Sequence, residues 1–263
     1  MVSAVELKML SALAVREAYL ELIPQYEQVN GRKVAIAWAG TVDIMKRMEA
    51  GERYDLVVAS RGAIDDLIKL RKITPASRLD VAGSGIGVAV RHGAPRPDIS
   101  SAESLKRSVI AAKTVGYSTG PSGVYLAGLF ERMGIAGDIK TKLRSVPSGG
   151  TIGMIVASGE AEIGFQQISE LVHTRGIDFI GPLPAEVQYI TVITAGIPTN
   201  AMDPIAAQSL AKFLAGPASQ GAIQRAGLQP AYRPNTAVIG CSSRAAHCDR
   251  LNQAHVVHDH SNS

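Results

Sequence analysis

Hydrophobic and polar positions along this chain switch between two rhythms. Short apolar runs at 7–10, 34–38 and 56–59 read as buried strands. Each is followed by apolar residues at helical spacing. Val15, Ala18, Tyr19, Leu22, Ile23 and Tyr26 mark a helix over 12–28, and Ile44, Met45 and Met48 one over 42–49. A third helix over 63–70 closes at the turn around Thr74 and Pro75. Strands alternating with helices predict parallel sheet, right-handed crossovers and ligand sites at the strands' carboxyl ends.

A second unit starts near Gly83. Its pattern predicts strands at 86–90, 114–117, 142–146 and 162–166, with helices at 101–112, 123–133 and 152–158. The proline-spaced segment 93–98 reads as a loop. The longest apolar stretch, 189–197, reads as a buried strand, and helices over 204–214 and 218–226 close the folded body. Residues 231–263 have no sustained periodicity and are expected to be a disordered or non-native tail.

The junctions between runs carry the chemistry. An apolar run leads into Ser11, another into Thr41, another into Ser60, and the run 113–117 into Ser118 and Ser122. A hydroxyl, free backbone N–H groups and the positive end of a helix dipole together hold small anions well. The same hydroxyls are explained without a ligand if they only cap helices.

Composition narrows the partners. The 263 residues are 46% hydrophobic, enough to bury a sizeable core in one large or two small domains. A net charge of +4, scattered rather than clustered, argues against nucleic acid and suits a small anionic ligand. Both cysteines, Cys241 and Cys248, lie in the tail, so no disulfide framework supports the body. No apolar stretch is long enough to span a bilayer. The first residues lack the basic and apolar regions of a signal peptide. The expected location is the periplasm if a signal peptide was removed, or the cytoplasm if the chain is native as given.

Several motifs together resemble a known family. Leu-Ser-Ala-Leu-Ala-Val-Arg at 10–16, Ala-Gly-Thr-Val-Asp at 39–43, Tyr-Asp-Leu-Val-Val-Ala-Ser at 54–60, Gly-Tyr-Ser-Thr-Gly-Pro-Ser-Gly-Val-Tyr at 116–125 and Gly-Glu-Ala-Glu-Ile-Gly-Phe-Gln-Gln at 159–167 resemble the molybdate-type periplasmic substrate-binding proteins of ABC importers. The likeness spans about residues 5–230. It implies an α/β, type II periplasmic-binding-protein fold: two lobes joined by two crossover strands, closing on a ligand by hinge motion. The lobes would be 1–82 plus 190–230, and 83–189. The resemblance implies a small anionic ligand and an ABC permease as partner; no cofactor is expected, and a monomer is.

The positions that the resemblance assigns to the ligand are Ser11 with Ala12, Gly40 with Thr41, Ser118 or Ser122 with Gly123 and Val124, and Gln166 or Gln167 at the second-lobe hinge. Ser60 and Tyr117 join them as cleft residues. Gln166 and Gln167 stand where molybdate binders offer a tyrosine, and the cleft junctions add Arg16 and Arg61. Arg61 directly follows the expected cap Ser60, where a cation opposes the helix dipole unless an anion is bound. Its fork suits a carboxylate. The alternatives are a solvated arginine or a pair with Asp65, and for Arg16 a surface ion pair.

Three rival chemistries remain. Members of the resembled group include aconitate isomerase, which would need carboxylate-binding arginines and an acid–base group; Tyr117, Glu170 and His173 are the candidates for the latter. Gly-Tyr-Ser-Thr-Gly at 116–120 matches a nucleophile elbow centred on Ser118, with only His173 downstream in the body as its base. In the tail, Cys241, His247, Cys248, His255, His258 and His260 offer metal-ligating groups at a spacing that matches no common zinc module, so no metal site is assigned.

Overall fold

The computed structural model describes residues 6–146 and 150–231. The tail cysteines and histidines lie outside the described residues. Strand β1 (Leu7–Ala12) leads through a single turn at Leu13–Val15 into helix α1 (Arg16–Asn30). Strand β2 (Val34–Ala39), helix α2 (Thr41–Glu49), strand β3 (Leu56–Ser60) and helix α3 (Arg61–Lys69) follow. The apolar runs become strands because both faces of the sheet are covered. In β1 only Lys8 is exposed, and β3 is buried up to Ser60.

The chain adds strand β4 (Leu79–Ser84) and, after the single residue Gly85, strand β5 (Ile86–Arg91). Helix α4 (Ala102–Ala111), strand β6 (Val115–Tyr117), helix α5 (Pro121–Arg132), helix α6 (Ala136–Ile139), strand β7 (Leu143–Arg144), helix α7 (Ile152–Ala157), strand β8 (Ile163–Gln167), helix α8 (Ile168–Leu171) and strand β9 (Ile177–Pro182) follow. The chain then returns through strand β10 (Thr191–Gly196) to helix α9 (Pro204–Ala215), helix α10 (Gln220–Arg225) and strand β11 (Gln229–Pro230).

Two sheets result. One has the order β11-β4-β10-β3-β1-β2, the other β7-β6-β8-β5-β9. Pairing is parallel among β1, β2 and β3 and among β6, β7 and β8, as expected. The crossing strands differ: β10 runs antiparallel to β3 and β4, and β5 antiparallel to β8 and β9. The strands that pass between sheets must run against the strands of the sheet they enter. The strand expected over 189–197 begins at Thr191, and the one over 142–146 is only Leu143–Arg144.

Each sheet is packed on both faces. In the first, α1, α9 and α10 cover one side around Tyr19, Leu22, Tyr26 and Leu210, while α2 and α3 cover the other around Ile44, Met48, Ile64 and Leu67. In the second, α4 and α5 pack Leu105, Val109, Leu126 and Phe130 on one side, and α7 packs Ile152 and Val156 on the other. Buried Asp55 ties the ends of the first sheet's sequence together. Its carboxylate accepts from the N–H groups of Lys8 at 2.9 Å, Met202 at 2.9 Å and Asp203 at 3.1 Å.

The two crossings lie side by side. The side-chain amide of Gln188 accepts from Ile86 N at 2.9 Å and donates to Ile86 O at 2.9 Å. A Cβ on Gly85 would stand 3.2 Å from Ile168 Cδ1 and 3.3 Å from Gln188 Nε2, so the smallest residue lets the crossings touch. Tyr189 stacks on Tyr125 of α5 with ring centroids 4.7 Å apart, and the Tyr125 hydroxyl donates to Val187 O at 3.0 Å.

Candidate functional site

A cleft of about 190 Å³ lies where the carboxyl ends of strands from both sheets meet. The first sheet contributes Ala12, the loop and helix start Gly40–Asp43, Lys46, Ser60 and Thr191. The second contributes Ser118–Ser122, Gln166, Gln167 and Glu170. Of the residues singled out in the sequence, Ala12, Gly40, Thr41, Ser60, Ser118, Ser122, Gln166 and Gln167 line this space. Glu170, named for acid–base chemistry, lines it too.

The hydroxyls sit in the cleft for different reasons. Thr41 is the first residue of α2, whose cap is Gly40, and α5 is capped by Gly120; neither cap has a side chain to bond the first-turn N–H groups. Those amides face the cleft end of their helices, where a bound anion takes the place of a capping residue. Ser60 is a true cap: its Oγ accepts from Ala63 N at 3.4 Å, which leaves its own hydrogen to donate elsewhere. Ser118 and Ser122 share one hydrogen bond at 3.2 Å, so one hydroxyl hydrogen of the pair remains for a third partner.

Gly123 does not line the cleft but shapes it. A Cβ there would fall 1.4 Å from the Ser118 carbonyl oxygen, so the loop carrying Ser118 closes onto α5 only because this residue has no side chain.

Behind the hydroxyls lies a layer of amides. Gln166 Oε1 accepts from Ile152 N at 2.9 Å and Gly153 N at 3.4 Å, which fixes the amide's orientation, and Nε2 donates to Glu170 Oε2. One N–H of the Gln166 amide is thus given to Glu170, and its second N–H remains to donate. Gln167 Nε2 donates to Thr191 Oγ1 at 2.8 Å, while its Oε1 is buried without a partner among the described residues. Burial pushes the Glu170 carboxyl up to about 7, and the Gln166 hydrogen bond only partly opposes this.

Several sequence candidates sit elsewhere. Ser11 is fully buried within β1, and its hydroxyl donates to the neighbouring Ala12 carbonyl at 3.4 Å; the helical turn starts at Leu13, one residue later than its pattern implied. Arg16 is exposed at the first position of α1 and lies outside the cleft. Arg61 is ion-paired with Asp80 on β4, not with Asp65, which takes Arg78 instead. Burial works against the Asp80 charge, but hydrogen bonds from Arg61 and Thr194 outweigh it and hold that carboxyl below its ordinary range. The conflict between Arg61 and the α3 dipole is thus relieved by a carboxylate of the protein itself.

Tyr117 packs edge-on against Phe130 at 6.1 Å in the second core, and Val124 is exposed with its N–H bonded to Gly120 O at 3.0 Å. His173 is exposed and outside the cleft lining. Ser118 therefore bonds to a serine, with no histidine among the cleft residues described, and the nucleophile-elbow reading loses its base.

The cleft's cation went unread in the sequence. Lys46 follows Thr41 by little more than one turn of α2, close enough to line the same space. In the sequence it was one more charge on the polar side of an amphipathic helix. Thr119, inside the 116–125 motif, and Thr191, which no motif announces, also line the cleft.

Two α/β sheets with a small polar cleft at their strand ends make this a type II periplasmic-binding-protein fold. The chain belongs to the bacterial extracellular solute-binding proteins, whose family pattern matches residues 7–229. It is 36% identical over 230 residues to the aconitate isomerase of a Pseudomonas species, covering 85% of this chain and 87% of that protein. Among solved structures it resembles the periplasmic molybdate-binding protein of Azotobacter vinelandii with a TM-score of 0.72 at 18% identity, over 85% of this chain and 98% of that one. It also resembles the sulfate-binding protein of Mycobacterium tuberculosis with a TM-score of 0.70 at 15% identity, over 86% and 87% of the two chains.

Proposed function

We propose that this protein captures a small anion in the cleft between its sheets and passes it to an ABC permease outside the cytoplasmic membrane. The observation that carries this reading is the set of donors around one cavity. Lys46, two helix starts without side-chain caps, and the hydroxyls of Thr41, Ser60 and the Ser118–Ser122 pair all line it. A cavity near 190 Å³ suits an oxyanion or a short organic acid. Residues 1–82 with 190–230 form one lobe and 83–189 the other, and they close about Gly85 and the segment 183–190. Closure excludes water and strengthens each polar contact. Among the described residues no helix is long and apolar enough to cross a membrane.

The test is calorimetric titration of the protein with molybdate, tungstate, sulfate, phosphate, citrate and aconitate. At least one is expected to bind with affinity that falls tenfold or more in Lys46→Ala. Absence of binding by every one of them overturns the reading.

A second reading is supported by Glu170, a carboxyl inside the anion cleft, together with the aconitate isomerase relative. In that reading Glu170 takes a proton from the methylene carbon of a bound unsaturated tricarboxylate. The double bond shifts, and the proton returns at the former alkene carbon, so the composition of the ligand is unchanged. Incubation with cis-aconitate followed by proton NMR tests it: trans-aconitate formed by the wild type and not by Glu170→Gln supports it, and no conversion by the wild type overturns it.

A further inference from the structure

The cleft holds acceptors as well as donors, and a receptor for bare oxyanions has no use for acceptors. Glu170 enters the space from the short helix that follows β8. Its partner Gln166 faces it with N–H, because the amide oxygen is already held by two backbone N–H groups. Beside it, Gln167 is 4% exposed and presents a buried amide oxygen with no hydrogen to accept among the described residues. The Gln167 oxygen is costly as it stands, and the Glu170 carboxylate, which accepts from Gln166, has acceptor capacity beyond that one bond, so a ligand that supplies a hydrogen gains there.

The charges around Glu170 do not offset it. Among the described residues the elements most closely packed against α8 are the turn Leu13–Val15, β5, β8 and α7, with Gly227 also against it, and these elements carry one charged residue, Arg91 at the exposed end of β5. Across the cleft, α2 brings one cation, Lys46, and one anion, Asp43. A fully deprotonated ligand oxygen placed beside the Glu170 carboxylate meets repulsion that, among the described cleft residues, falls to Lys46 to offset.

Resting on the anion-receptor reading above, we propose that Glu170 is the specificity-determining residue of the cleft. It selects small anions that carry an O–H, such as hydroxycarboxylates, over fully deprotonated oxyanions. A hydroxyl lets the carboxylate accept while Lys46 and the helix starts hold the ligand's negative groups. An anion without a hydroxyl binds only if Glu170 first takes up a proton, so its affinity falls as pH rises above the carboxyl's titration near 7. This is discrimination by an unfavourable contact with the wrong ligand as much as by a favourable one with the right ligand.

The experiment is calorimetry on the whole chain with sulfate, succinate and malate at pH 6.5 and 8.5, in wild type and Glu170→Gln. The wild type is expected to bind malate at least tenfold tighter than succinate at pH 8.5. Its sulfate affinity should fall at least tenfold between the two pH values, with proton uptake visible as a dependence of the binding heat on buffer ionisation. Glu170→Gln should make sulfate binding independent of pH and bring succinate within threefold of malate. Sulfate affinity in the wild type that is flat across this range, with no proton uptake, overturns the proposal without use of the variant. If neither protein binds any of the three anions, the receptor reading itself fails, an outcome distinct from flat binding.

Discussion

Gln188 hydrogen-bonds both backbone groups of Ile86, so a side chain from one interlobe crossing completes the main-chain pairing of the other. Replacing it by alanine takes the partner from the buried Ile86 N–H and leaves the Ile86 carbonyl with Leu183 N alone, at 3.0 Å. Gln188→Ala is expected to lower stability by about 1–3 kcal/mol, read as a shift in the urea midpoint. Gln188→Glu should be no better, because it keeps the acceptor for Ile86 N but aims a carboxylate at Ile86 O.

Lys46 and Arg61 provide a paired test of where the ligand's charge goes. Lys46→Ala should weaken binding of the best anion by tenfold or more, about 1.4 kcal/mol. Arg61→Ala should change it less than twofold, since Arg61 is engaged by Asp80 outside the cleft. Titration calorimetry on the two variants decides between them, and the reverse order would return the anion to the arginine.

Gly123→Ala is expected to cost on the order of 2–4 kcal/mol and to abolish binding, because the added carbon would sit 1.4 Å from the Ser118 carbonyl oxygen. The loop must lift, and Ser118 and Ser122 lose their shared geometry. Gly120→Ala is the control: its Cβ would meet only Ser118 Oγ, at 3.7 Å. Thermal melting of the two variants should separate them clearly.

The pH dependence of stability carries the signature of Glu170. Its folded pKa, about 7, is above the ordinary 4.5, so between these values the folded state holds more protons than the unfolded state. Stability contributed below pH 4.5 is therefore lost as pH rises through about 7. In Glu170→Gln that loss should disappear, leaving the variant more stable than wild type above pH 7 by up to roughly 3 kcal/mol. Denaturant melts at pH 5 and pH 8 provide the comparison.

The layered α/β plan was legible because most central strands are buried on both faces and therefore appear as unbroken apolar runs. Strands β4 and β9 were not legible. Leu79–Ser84 contains Asp80 and three small residues, and Ile177–Pro182 is a half-buried edge strand carrying Asp178, Gly181 and a terminal proline. Neither shows an apolar run or clean alternation. The same limit applied to the site. Thr41, Ser60 and Ser118 were found because loops at strand ends face the cleft by topology. Arg61 misled because its partner Asp80 comes from a strand the pattern did not reveal. Lys46 was missed because helical phase alone does not say which polar face meets a second lobe.

The strand at the heart of the first sheet is made late. β10 lies between β3 and β4, yet well over a hundred residues separate it from β3 in the chain. As the chain leaves the ribosome, β3 and β4 each present a bare edge until residues 191–196 arrive, whereas every strand of the other sheet is contiguous in sequence. Assembly is thus ordered by synthesis: the inner lobe can close first and the outer one waits, its exposed edges a liability for any chaperone-free expression of the truncated N-terminal portion.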